Sequence, residues 1–302
     1  MIPKFLDKYC LFSLYLYFYK IYLIIMFNYV IKTRYLFDIY FKSIKINIVE
    51  PIIILSIYNL ITLFLVTVLL VMCKKRIRKE RTKDNVLKYV SIAVVVLHYS
   101  SLYVDFFLEG GEVRIGHNML FMIYPCNIIM WLLFVVALWK DRESKIFKIL
   151  ADFTFLVGTI CGLVGVLYNF NFLDTPSFAD YTVLKGLLSH TVMIFGTIYL
   201  GVMGYSKVNV PRTMHSLFWG LMIFLIIGGS MNVMFIATGI DREINALFMI
   251  QPPIPELPFL NFYVLATIAF LLVFVGLIIY ERFAFPEEQR WLWKIKNKNK
   301  GV

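Results

Sequence analysis

The sequence predicts an all-α fold: a polytopic membrane helix bundle with a seven-helix core and one further apolar segment at its N-terminus. Hydrophobic residues make up 60% of the 302 residues and charged residues only 16%, whereas soluble domains are nearer half apolar and a quarter charged. The apolar residues form long runs of about the 20 residues that a bilayer crossing requires. Alternating segments of about ten residues, which are typical of outer-membrane barrels, are absent from the sequence.

Eight apolar segments follow one another along the chain. They are 9–31, 51–73, 89–107, 118–139, 150–171, 181–203, 216–239 and 257–280. The first is interrupted by Lys20 and rich in tyrosine, so we expect it to be an appended span, an interfacial helix or a peripheral extension. We therefore divide the chain into an N-terminal apolar and basic extension (1–48), a seven-helix transmembrane domain (49–285) and a basic tail (286–302). No cleaved signal peptide is predicted, because no small-residue cleavage site follows the first segment.

The distribution of charge predicts the orientation of the seven-helix core. The loop after the second segment holds eight Lys and Arg residues between positions 74 and 88, and basic loops of membrane proteins stay in the cytoplasm. With that loop inside, segments two to eight make seven crossings, and every loop between them obeys the same rule. The sequence thus predicts a multi-pass protein of the cell membrane with a cytoplasmic C-terminus. The net charge of +11 is explained by these loops, so we expect membrane lipids as partners and no nucleic acid.

Four polar side chains lie at a similar predicted depth in four different helices. They are His98, Cys126, His190 and Asn232. Each is about seven to nine residues from the predicted outer end of its segment, which is roughly 10–14 Å at 1.5 Å per residue. Because polar residues inside a membrane are costly and commonly functional, this layer of the outer leaflet is the predicted site.

The residue types in this layer are those of thiol-dependent acyl transfer. A cysteine needs a base to become a thiolate at neutral pH, and histidine is the usual base. The predicted catalytic residues are Cys126 as nucleophile, His190 as base and Asn232 as the group that orients the imidazole. His98 and Tyr124 are supporting candidates, and Pro125 is expected to kink the helix beside the thiol.

Other chemistry is disfavoured by spacing and composition. The four cysteines lie in apolar runs without a C-x-x-C pair, which gives no disulfide framework. Two histidines and a cysteine lack the carboxylates and the spacing of a metal site, so neither a metal nor another cofactor is predicted. Gly158 and Gly162 form a small-x-x-x-small face, which we interpret as helix packing.

Four motifs in sequence resemble those of the YwaF-type family of bacterial membrane proteins. The stretch 121–128, FMIYPCNI, resembles the family's LPLHLCNIA signature, and 188–200 resembles its LSH…YL motif. The stretch 229–235 resembles NYMF, with Asn232 at the Asn, and 252–253 matches a PP loop before the last helix. The resemblance covers roughly residues 55–285.

The resemblance implies an activity as well as a fold. The YwaF-type family is related to an animal transmembrane acyltransferase of ether phospholipids and, more distantly, to membrane hydrolases of fatty-acid esters. It implies Cys126 as the nucleophile and His190 as its base. The sequence departs from the family pattern at Tyr124, where the family has His, at the shifted Pro125, and at Val233, where it has Tyr.

Three functions therefore remain open at the level of sequence. The first is a lipid-directed acyltransferase or hydrolase that uses Cys126. The second is a transporter or receptor without enzymatic activity, which predicts a polar pathway through the bundle, whereas the inner half is apolar apart from Asp152. The third is a structural membrane protein in which the polar layer serves packing.

Overall fold

The chain folds as a helical bundle in which every predicted core segment contains a helix. The computed structural model describes residues 49–108, 121–167, 169, 172, 177–242, 244–252, 259 and 261–298, so the first apolar segment lies outside the described residues. The helices are α1 Val49–Arg76, α2 Glu80–Leu108, α3 Pro125–Leu138, α4 Lys145–Leu167, α5 Tyr181–Val202, α6 Val210–Thr238, α7 Phe262–Ala284 and α8 Trp291–Lys298, with 3-10 turns at Ala246–Phe248 and Glu287–Gln289.

Six of the seven core helices are long and apolar enough to cross a membrane. The exception is α3, which has 14 residues. These helices confirm the predicted polytopic helical membrane fold.

The short third helix corrects the sequence interpretation of segment 118–139. Residues 121–124 are not helical, and Tyr124 is the extended N-cap residue that precedes Pro125. The expected kink at Pro125 is therefore wrong: the proline starts the helix. At the first helical position its missing N–H has no partner to lose, and its fixed φ suits the helix.

The centre of the bundle is α4, which packs against α3, α5 and α6. Glycines allow this close approach. A β-carbon at Gly158 would lie 2.5 Å from Thr197 of α5 and 2.8 Å from Ile129 of α3. The ring of Phe153 in α4 occupies the space beside Gly220 of α6. The interpretation of the small-residue face as packing is thus confirmed at Gly158.

One end of the bundle, here called the basic end, carries buried charge networks. Asp152 of α4 is 2% exposed and pairs with Arg212 of α6, whose Nη2 lies 3.0 Å from Oδ1. The Ser206 hydroxyl donates to the same Oδ1 at 2.7 Å, and so does the backbone N–H of Lys207 at 3.2 Å. Asp152, the polar residue of the inner half, therefore joins α4 to the α5–α6 connection.

Two further contacts hold the basic end together. Arg142, in the α3–α4 loop, donates to Asp84 of α2 at 3.0 Å, and the Tyr205 hydroxyl donates to the same carboxylate oxygen at 2.7 Å. Glu281 of α7 is 5% exposed and accepts the backbone N–H groups of Val210 at 3.2 Å and Trp291 at 2.7 Å. One carboxylate thus caps the first residues of both α6 and α8.

A β-carbon at Gly220 should destabilise the bundle, whereas one at Gly276 should not. Gly220→Ala forces a methyl group against the buried ring of Phe153, and overpacking costs about 1–3 kcal/mol. Nothing lies within 4 Å of a β-carbon at Gly276, so Gly276→Ala should gain about 0.5–1 kcal/mol of helix stability. Thermal unfolding of the purified variants in detergent measures both. Equal melting temperatures would contradict the packing described here.

Loss of the Asp152 charge should destabilise the bundle much more than loss of an exposed charge. Asp152→Asn leaves Arg212 without its partner, and breaking a buried pair costs about 3–5 kcal/mol. Because the Arg212 side chain is 26% exposed, we expect the lower end of that range. The control is Glu143→Gln, which breaks a 2.6 Å pair with Lys148 in which Glu143 is 88% exposed. Similar denaturation midpoints for both variants would show that the buried pair carries no special weight.

Candidate functional site

Two non-helical segments meet at the end of the bundle opposite the basic end. The backbone N–H of Leu247 donates to the carbonyl of Ile123 at 2.8 Å, and both side chains are buried. We call residues 121–124 and 244–249 together the plug. Leu247 also fills the space beside Gly228, which lies ten residues, or about 15 Å, from the end of α6. The plug therefore reaches well inside the span of α6, where non-helical backbone must be buried in protein or line a cavity.

Asn232 of α6 holds the plug in place. Its Oδ1 accepts the backbone N–H of Ala246 at 2.7 Å, and its Nδ2 donates to the carbonyl of the same residue at 3.2 Å. Leu247 and Phe248 follow with φ of 56° and 57°, a left-handed conformation that side chains rarely adopt. The predicted contact between Asn232 and an imidazole is not formed; its described hydrogen bonds both go to the plug.

Cys126 is the second residue of α3 and is separated from the plug by Pro125 alone. Its side chain is half-buried, and Sγ donates to Oδ1 of Asn127 at 3.5 Å. Cys161 of α4 is close enough to interact electrostatically with it. The thiol thus sits at the N-terminal, electropositive end of a helix that begins inside the bundle.

The ring of His190 in α5 is held by a hydrogen bond within its own helix. Its Nδ1 lies 2.8 Å from the carbonyl oxygen of Gly186. Because a carbonyl can only accept, Nδ1 carries the hydrogen and Nε2 of the neutral ring carries the lone pair. The imidazole occupies the space that a side chain at position 165 would fill, so Gly165 is what admits it.

Cys126 and His190 lie within about one helical turn of each other along the bundle. Leu133 of α3 touches Gly196 of α5, and from this contact Cys126 is seven residues and His190 six residues towards the plug. Gly158 gives a second reference level, since it touches Ile129 of α3 and Thr197 of α5. From that level, Cys126 is three residues and His190 seven residues towards the plug. At 1.5 Å per residue the offset is at most roughly 6 Å. In the described structure they share no hydrogen bond, since each bonds elsewhere.

The two supporting candidates, His98 and Tyr124, lie in different elements: His98 is in α2 and Tyr124 is in the plug. His98 of α2 is eight residues from Val90, which touches Gly196 as well, so it shares the layer of Cys126 and His190. Its ring packs edge-on against Tyr99, 5.0 Å away. Tyr124 belongs to the plug, is 38% exposed and lies 6.0 Å from the ring of Phe248. Three predicted residues therefore share one layer, whereas Asn232 and Tyr124 serve the plug.

Among the described residues, no cluster of three His, Cys, Asp or Glu side chains could hold a metal ion. The side chains around the site are instead a thiol, an imidazole, amides and aromatic rings. That set suits nucleophilic and proton-transfer chemistry better than metal binding.

Sequence reasoning missed the plug and the role of Gly165. Segment 118–139 reads as a continuous span because its first residues are as apolar as the rest. Pro125 was the available signal, since proline favours the first turn of a helix over its interior. Gly228 and Gly165 were visible as small residues, but which side chains enter the spaces beside them depends on tertiary packing.

Replacing Asn232 should loosen the plug. Asn232→Ala leaves the buried N–H and carbonyl of Ala246 without partners, and each unsatisfied buried group costs about 1–3 kcal/mol. Proteolysis or hydrogen exchange should show faster opening of residues 244–249 in this variant. The matched control is Asn297→Ala in α8, whose amide donates to the Trp293 carbonyl one turn earlier in the same short helix; it should leave the plug unchanged. Equal exchange at 244–249 in both variants would contradict the role assigned to Asn232.

Comparison with known proteins identifies the family. No curated protein and no solved structure matches the chain. The family model described as TMEM164 family matches residues 49–280, about three quarters of the sequence, from the start of α1 almost to the end of α7. The resemblance to the YwaF-type family and its link to acyl transfer remain predictions beside this match. The chain, an integral membrane protein by its helices, belongs to the TMEM164 family.

Proposed function

We propose that the chain catalyses acyl transfer or ester hydrolysis on membrane lipids, with Cys126 as nucleophile and His190 as base. The observation that carries the proposal is the tautomer of His190, which its hydrogen bond to Gly186 determines. The hydrogen bond from Nδ1 to Gly186 leaves the Nε2 lone pair as proton acceptor. Along the axis of the bundle, His190 and Cys126 are offset by at most about one helical turn. Thiol catalysis requires a base that can accept the proton of the cysteine, and we infer that His190 takes this role when substrate is bound.

The proposed reaction has two steps that balance. His190 takes the Cys126 proton, the thiolate attacks the ester carbonyl carbon, and the ester C–O bond breaks as the leaving alcohol takes the proton. The acyl group is then a thioester on Cys126. A second alcohol, or water, attacks that carbon with His190 again as base, which restores the thiol and releases the new ester or the acid.

Two features of the described structure support this chemistry. Cys126 is the second residue of α3, and the N-terminal end of a helix favours negative charge near it. Leu247 and Ile123 of the plug are buried, and on this proposal the plug limits the access of water to the thiol from that end. Exclusion of water favours transfer to an alcohol over hydrolysis.

The substrate class follows from location. The site lies in the half of the bundle away from the basic end, and basic loops favour the cytoplasmic side. We therefore place the site in the outer leaflet of the cell membrane and the C-terminus in the cytoplasm, with lipid esters as substrates.

A structural role is the second candidate, because a specific observation favours it. Cys126 and His190 do not share a hydrogen bond, and Asn232 is engaged with the plug. On this alternative the two side chains pack the bundle and their replacement changes stability alone. A transporter has weaker support, because the charges near the basic end are engaged in ion pairs such as Asp152–Arg212.

Labelling by a long-chain, thiol-reactive lipid analogue should depend on both Cys126 and His190. In a background with Cys10, Cys73 and Cys161 replaced by Ala, the chain should label at Cys126, and Cys126→Ala should abolish labelling. His190→Gln should slow it about a hundredfold at neutral pH, as loss of a general base does. The rate should recover as pH rises, because hydroxide then replaces the base.

Gly165→Ala supplies a matched test of geometry, since its methyl group overlaps the imidazole without removing it. It should slow labelling while Gly276→Ala does not. Labelling that is unaffected by His190→Gln at every pH, in a variant of normal thermal stability, would favour the structural role and overturn the proposal.

A further inference from the structure

A groove of about 450 Å³ runs between α6, α7 and the plug. Small-molecule sites usually have volumes of about 300–1,000 Å³. The volume of this groove is within that range, so the groove is large enough for part of a lipid chain. Its lining is mainly apolar. The lining residues are Gly229, Asn232, Val233, Ile236, Ala237, Met249, Ile250 and Tyr263.

The groove is continuous with the lipid-facing surface of the bundle. Val233, Ile236 and Ile250 line it and are 68%, 44% and 52% exposed. They lie on or beside α6 and α7, both of which are apolar and long enough to cross the membrane. Because an exposed apolar surface of a spanning helix faces hydrocarbon, the groove is open to the side on which we expect lipid.

The groove also contains one polar group that is more than nine-tenths buried. Asn232 is 6% exposed. Its Nδ2 has two hydrogens, of which Ala246 accepts one. Since Asn232 lines the groove, its second N–H can donate to an acceptor bound there. An ester carbonyl at the end of an acyl chain is such an acceptor, whereas a hydrocarbon alone is not.

The rim of the groove suits the headgroup region. Tyr263 is the second residue of α7 and is 56% exposed, and tyrosine is enriched where membrane meets water. Gly229 lies at the deeper end, and an added β-carbon there would meet nothing within 4 Å. The groove thus runs from an interfacial tyrosine past a buried amide to open space beside a glycine.

We propose that this groove binds one acyl chain of a phospholipid, with its ester carbonyl accepting a hydrogen bond from Nδ2 of Asn232. The apolar walls receive the chain, the amide fixes the ester, and Tyr263 lies at the level of the headgroup. The site is distinct from Cys126, and the lipid remains bound whether or not the thiol reacts.

The groove is nevertheless coupled to the site through short contacts. The amide of Asn232 hydrogen-bonds both the backbone N–H and the carbonyl of Ala246. The backbone N–H of the next residue, Leu247, donates to the carbonyl of Ile123, which lies three residues before Cys126. A lipid that engages Asn232 therefore contacts the residue that holds the plug in place.

Retention of phospholipid by the purified protein tests this proposal. Native mass spectrometry of the full chain, extracted from membranes in a mild detergent, should show one bound phospholipid per chain. Gly229→Trp should fill the groove and reduce the occupied fraction at least tenfold, and Ala237→Trp, further along the same face of α6, should do the same. Gly276→Trp is the matched control: it too is an α-helical glycine with open space around it, but it does not line the groove.

The location of the chain is tested with a phospholipid that carries a photoreactive diazirine in its acyl chain. Cross-links to Met249 or Ile250 that disappear in Gly229→Trp would support the proposal. Equal retention of lipid by wild type, Gly229→Trp and Ala237→Trp would overturn it. So would cross-linking evidence that the groove holds residues 9–31 or a second copy of the chain.

The two proposals can fail separately. Cys126→Ala should retain the phospholipid as wild type does, because the thiol is not part of the groove. Loss of thiol labelling with normal lipid retention would leave the groove standing, and the opposite result would leave only the acyl-transfer proposal.

Discussion

The requirement that backbone polar groups be satisfied within the bilayer governs most of this structure. Helices meet it internally, so the described core consists of helices except where the plug enters it. There the requirement is met by tertiary contacts: Asn232 serves both backbone groups of Ala246, and Ile123 accepts from Leu247. The left-handed backbone at Leu247 and Phe248 is tolerated because these contacts and the surrounding packing determine it.

The two ends of the bundle use different physics for the same purpose. At the basic end, connections between helices are held by charge, with Asp84, Asp152 and Glu281 each accepting hydrogen bonds from more than one partner. At the plug, neutral amides and apolar side chains do this work. A neutral arrangement has a lower desolvation cost than a charged one.

Much of the fold could be predicted from sequence because hydrophobic runs and loop charge are local signals. The seven core segments, the helix start at Pro51 within the first turns of α1, and the layer of His98, Cys126 and His190 all follow from counting residues. The start of α3 could not be predicted in this way, since Phe121 to Tyr124 are apolar enough for a helix but are held by Leu247 and Phe248, more than 120 positions later. The partner of Asn232 was missed for the same reason: a loop residue 14 positions later returns into the bundle.

Gly158 of α4 contacts both Thr197 of α5 and Ile129 of α3, so it determines how closely these helices approach α4. The separation of the helices that bear Cys126 and His190 is set there by the main chain of α4, whose radius of about 2.3 Å is the same for any sequence. Substitutions elsewhere in α4 leave the distances of α3 and α5 from α4 at this level unchanged. A larger residue at position 158 would increase both distances. At this level the distance of closest approach of α3 and α5 to α4 is thus a property of backbone geometry, because position 158 carries only a hydrogen atom.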